Sequence, residues 1–120
     1  MLPGSESTAR PTFTYEIPAR LAAEAGIKSV TLVHLTAAEE LAAAKRGGSD
    51  AMRLAQELSK AALWGLNGKQ LSHANSEKEA AWHELHPKVR ALVLQAYSKL
   101  HSPESEDVES FLASEVIEAA

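Results

Sequence analysis

The sequence has no cysteine, which removes disulfides, thiolate metal sites and cysteine nucleophiles together. Aromatic residues are few: Phe13, Tyr15, Trp64, Trp82, Tyr97 and Phe111. A core drawn from this chain is therefore mostly Leu, Val and Ala, which suits closely packed helices. No run approaches the roughly 18–20 apolar residues needed to cross a bilayer. Residues 1–11 contain no apolar stretch of the kind that directs secretion. A soluble protein without a membrane partner is expected. Basic residues are missing after Lys99. All 12 Lys and Arg lie in residues 1–99 against 10 acids, a net of +2. From His101 onward Glu104, Glu106, Asp107, Glu109, Glu115 and Glu118 stand without a base, a net of −6. A nucleic-acid binder needs concentrated cationic charge to displace counterions, and no such stripe is present, so no nucleic-acid partner is expected.

What is there reads as one domain of 120 residues. Residues 1–11, rich in Pro, Gly, Ser and Thr, read as a flexible N-terminal arm. Residues 12–120 read as a single helical domain with an N-terminal β pair. Phe13, Tyr15 and Ile17 alternate as in a short strand, and Pro18 ends it. Ala19–Ala25 suits one or two helical turns stopped by Gly26. Ile27–Leu35 is the strongest strand, with Val30, Leu32 and His34 on one face. Thr36 and Glu39 form a capping box that starts a helix ending at Gly47-Gly48. Ser49 or Asp50 caps the next helix, which turns Met52, Leu54, Ala55, Leu58 and Ala62 inward. Asn67-Gly68 signals a tight hairpin between Leu63–Leu66 and Lys69–Leu71. Ser76 and Glu79 suggest a second capping box, for a helix reaching about Leu85. Pro87 then opens a helix with Val89, Leu92, Val93, Ala96, Tyr97 and Leu100 inward. Ser102 and Pro103 open a last, acidic helix. The predicted class is mainly α: four to five short helices with a small N-terminal strand pair packed on them.

Candidate chemistry is thin. His83, Glu84 and His86 are the densest metal-ligand group, with His73 or His101 as a possible third arm. Their spacing differs from the i, i+4 histidine pair of helical zinc sites. Gly47-Gly48-Ser49 lacks the Lys-Ser/Thr of a phosphate-binding loop. The serines sit where capping explains them, and no Ser stands beside an oriented base. The expectation is no enzyme, no cofactor, no metal and no small-molecule substrate. Apolar contact with another chain remains. Candidate partner-binding residues are Val30 and Leu32 on the strand, Trp64 and Trp82 after alanine runs, and Phe111 on the acidic helix.

From Ser29 to Leu112, about two thirds of the chain, the order of motifs resembles a known family. A strand runs into a capped helix in SVTLVHLTAAEELAAAKR, a hairpin follows in WGLNGKQLS, and a helical end in EAAWHELHPKVRALVLQAYSKLHSPESEDVESFLAS. The residues carrying it are Leu35-Thr36-Ala37, Glu39-Glu40, Gly68-Lys69, Trp82, Pro87-Lys88-Val89-Arg90, Tyr97 and Phe111-Leu112. This resembles the tail assembly chaperones of tailed bacteriophages and prophages. The resemblance implies a non-enzymatic protein of the host cytoplasm that binds another tail component, such as the tape-measure protein. A second copy of the chain, as an oligomer, is the other partner considered. A structural adaptor retained in the virion tail or baseplate is the alternative. A small helix-turn-helix-like regulatory domain is the second alternative, since Pro87–Leu112 has that outline.

Overall fold

The computed structural model describes residues 10–71 and 75–116. Strand β1 (Thr12–Glu16) leads through α1 (Ala19–Ala25) to β2 (Ser29–Val33). Two helices follow, α2 (Ala37–Gly47) and α3 (Ala51–Ala62), then β3 (Leu63–Leu66) and β4 (Lys69–Gln70). The chain continues as α4 (Asn75–Glu84), α5 (Pro87–Leu100) and α6 (Ser105–Ala113). Five helices of nine residues or more, with the seven-residue α1, make the described residues mostly helical.

The expected strand pair is half of a larger sheet. β1 and β2 pair antiparallel, Phe13 opposite Leu32 and Tyr15 opposite Val30. β3 and β4 extend this to a four-stranded antiparallel sheet in the order β1-β2-β3-β4. A lone pair is marginal in water; the Asn67-Gly68 hairpin adds the missing strands. Asn67 and Gly68 both take positive φ, 53° and 78°, the backbone that a two-residue hairpin turn requires. The Asn67 side-chain oxygen also accepts the Lys28 N–H at 2.7 Å, fastening the turn to the start of β2.

Local signals set most helix ends. The Thr36 hydroxyl accepts the Glu39 N–H, and the Glu39 carboxylate accepts the Thr36 N–H at 2.9 Å. Asp50 accepts from Met52 and Arg53 at the start of α3. Pro87 occupies the first turn of α5, with the His86 ring Nδ1 accepting the Lys88 N–H at 3.1 Å. Two starts differ from expectation. α4 begins at Asn75, so Ser76 lies inside the helix rather than capping it, and positions 72–74 lie outside the described residues. α6 begins at Ser105 instead of Pro103: Ser102, just past the end of α5, donates its hydroxyl back to the Ser98 carbonyl at 2.7 Å, and Glu104 takes the capping position, its N–H donating to the Asp107 carboxylate at 3.3 Å.

The core joins the inner face of the sheet to α4 and α5. Ile17, Ile27, Val30, Leu32, Leu63, Trp82, Leu85, Val89 and Val93 form one buried cluster. Burial of a side chain such as Leu32 or Leu63 contributes about 2 kcal/mol. α3 packs against α2, α4 and α5. Met52 and Leu92, expected inward, are exposed. On α5 the core takes Val89, Val93, Leu94, Ala96 and Leu100, a face rotated away from Leu92.

Candidate protein-interaction surface

The five residues expected to meet a partner divide sharply. Val30, Leu32 and Trp82 belong to the core, with Leu32 fully buried, so they present no surface to another chain. β2 also lies between β1 and β3, and both its backbone edges are already paired. The anticipated open strand is therefore closed. Its apolar pattern reflects double-sided burial, with Leu32 on one face and the equally buried Val33 on the other.

Trp64 is half-buried and serves the fold. Leu32 faces Leu63 and Thr31 faces Gly65, which leaves Trp64 as the extra residue of a β-bulge. The Arg10 guanidinium lies 5.4 Å and the Lys78 ammonium 5.8 Å from its ring centre, within cation–π range. Arg10 is held in turn by both Glu39 oxygens, at 3.0 and 2.9 Å, and by the His34 carbonyl. Burial pushes the Glu39 carboxyl up, but hydrogen bonds from Arg10 and Thr36 and the Arg10 charge outweigh it and hold it below its usual value. Lys78 is buried and donates to the Ala61 carbonyl at 2.7 Å. Loss of water lowers its pKa; the Glu39 charge opposes this while Arg10 and Arg46 add to it. Arg10 was expected in the loose arm and is instead anchored to α2. Positions 1–9 of that arm lie outside the described residues.

Phe111 is the exception. It is 75% exposed on α6, a helix whose every residue is exposed. Val108 and Leu112 are exposed beside it. Positions 108, 111 and 112 follow the i, i+3, i+4 rule of one helix face. Glu106, Asp107 and Glu109 supply charge around that face. Phe111 was expected at a surface and is exposed; Val108 and Leu112, which share its spacing, were not among the expected partner-binding residues.

The chemical candidates are occupied by structural work. His86 Nδ1 caps α5 and its Nε2 lies 3.4 Å from Glu24, while His83 lies 3.7 Å from Glu79. His101 bonds backbone groups on both sides, and His73 lies outside the described residues. Among the described residues no three His, Asp or Glu side chains converge as metal ligands. Gly47 is the point where α2 and α3 touch: a Cβ there would fall 2.6 Å from Leu54 Cα. A groove of about 970 Å³ lies beside α1. Its polar lining is Glu16, Lys28, Ser29 and Asn67, and its walls are mainly Ile17, Ala19, Ala22 and Ile27.

No helix among the described residues is long and apolar enough to cross a membrane. Comparison with protein-family models, curated proteins and solved structures gave no significant match. Among the described residues Leu41, Met52 and Val116 are also exposed, but α6 gathers three exposed apolar side chains, Val108, Phe111 and Leu112, at the spacing of one helix face.

Proposed function

We propose that this chain is a non-enzymatic phage tail assembly protein, similar to the tail assembly chaperones, that binds another tail component such as the tape-measure protein. The observation that carries the binding role is the unburied apolar face of α6, centred on Phe111 at 75% exposure. An amphipathic helix of this kind lays its apolar side into a groove on its partner. The tail context comes from the motif order over Ser29–Leu112. The host cytoplasm is the corresponding location, because a chaperone leaves before the particle is finished. A regulatory helix-turn-helix role fits less well, since α6 would enter the groove of DNA with Glu106, Asp107 and Glu109 against phosphates.

The test is affinity capture of the tagged full chain from cells expressing the tail components. Recovery of a tail component, lost with Phe111→Asp, supports the proposal. Failure to recover any tail component, or recovery unaffected by Phe111→Asp, overturns it. Presence of the chain in purified particles moves the reading to the structural adaptor.

A further inference from the structure

We propose that a second copy of this chain covers α6 in the free protein. The apolar face of each α6 packs on the exposed side of α5 in the other copy, between Lys88 and Lys99. The inference rests on the reading of α6 as a binding face and names its first occupant.

Charge selects the occupant. Residues 101–120 carry six acids and no base, so two α6 helices side by side would repel. The complementary surface exists on the same chain. Lys88, Leu92, Gln95 and Lys99 recur at helical spacing along α5, and all four are exposed. Leu92 is 38% exposed although Val89 and Val93 beside it are buried. The Lys88 side chain remains 64% exposed, its 3.6 Å contact with Glu24 being a surface pair of small energetic weight.

Length agrees as well. Lys88 and Lys99 lie about 16 Å apart along the helix axis, and α6 is about 13 Å long, at about 1.5 Å per residue. With the apolar anchors of α6 over Leu92, Glu106, Asp107 and Glu109 lie on the side of one lysine, and Glu115 lies beyond the anchors on the side of the other. One helix of nine residues covers too little area for a stable contact by itself. Two-fold pairing uses the same contact twice, since each copy gives one α6 and receives another. A tail component would then compete with the second copy for α6.

Sedimentation velocity on the full chain tests this across micromolar concentrations at low and high salt. The expected result is a dimer at low salt that dissociates as salt rises. Phe111→Asp should give a monomer with unchanged far-ultraviolet circular dichroism, because Phe111 supports nothing within its own fold. The double variant Lys88→Glu/Lys99→Glu should weaken the dimer by about tenfold or more, and adding Glu106→Lys/Glu109→Lys to it, which spares the Asp107 cap of α6, should restore association. A monomeric wild type, a dimer indifferent to Phe111→Asp, or a dimer indifferent to the lysine reversals overturns the inference. A monomer that still captures a tail component leaves the proposed function standing. A dimer that follows this pattern but captures none removes the tail role and keeps the pairing.

Discussion

His101 Nε2 accepts the Leu35 backbone N–H at 2.9 Å, joining the end of α5 to the segment after β2 across 66 residues of sequence. The same ring bonds the Tyr97 carbonyl through Nδ1 at 3.0 Å, which assigns its proton to Nδ1. His34 reaches back, its Nε2 lying 3.1 Å from the Leu100 carbonyl. Replacing His101 with Ala leaves the Leu35 N–H without this acceptor. The expected loss is about 1–2 kcal/mol, read as a midpoint shift in urea unfolding. An unchanged midpoint would show that water replaces the ring without cost.

Gly47→Ala separates packing from helix propensity. Propensity alone predicts a gain of up to about 1 kcal/mol for Ala inside a helix. The Cβ would meet the Leu54 backbone at 2.6 Å, and a backbone atom cannot rotate away. A loss of about 2 kcal/mol is expected, measured by chemical unfolding. Any stabilisation would mean that α2 and α3 part readily at this crossing.

Ser59→Ala should run the other way. The Ser59 hydroxyl is fully buried and has no hydrogen-bond partner among the described residues. A buried hydroxyl without a partner costs free energy that a methyl group does not. A gain of about 1 kcal/mol is expected in thermal or urea unfolding. Loss of stability would reveal a bonded water at that position.

Glu57 governs part of the acid response. Burial raises its carboxyl pKa, but hydrogen bonds and charges from Lys60 and Arg46, each 2.9 Å away, hold it below its usual 4.5. The folded state therefore binds this proton less readily than the unfolded chain. The stability involved is present above pH 4.5 and is lost as pH falls through the lower, folded value. Glu57→Gln should flatten this part of the acid limb. It should also cost about 3 kcal/mol at neutral pH, because Lys60 is buried and loses its counter-charge. Unfolding curves at several pH values check both effects.

What was legible in the sequence was local. Thr36 with Glu39, Asp50, Asn67-Gly68 and Pro87 act on backbone groups within a few residues, so each could be read without knowing the fold. Local signals also misled at Ser76 and Ser102-Pro103, where the helices start elsewhere; the other misreadings were set by distant neighbours. Ile27–Leu35 was expected to pair with the first strand, but its apolar residues gave no hint that β3 takes its other edge, so Val30 and Leu32 read as open to another chain. Leu92 matched the inward pattern of α5, but the neighbouring elements bury a face rotated toward Leu94 and leave Leu92 outside it. Trp64 looked like an anchor for another chain, and only a bulge in β3 brings it under Arg10 and Lys78. Phe111 was legible because nothing in the fold competes for it.

The middle position of β2 also orders how the chain assembles. β1 and β2 are close in sequence, whereas β3 pairs with β2 across the whole of the intervening α2 and α3. Closing that long loop precedes the reward of burying Leu32 against Leu63, and such delayed contacts slow folding. A substitution that forces α2 and α3 apart at Gly47 therefore bears on more than their own contact, since the same two helices bridge the two strands whose pairing closes the second edge of β2.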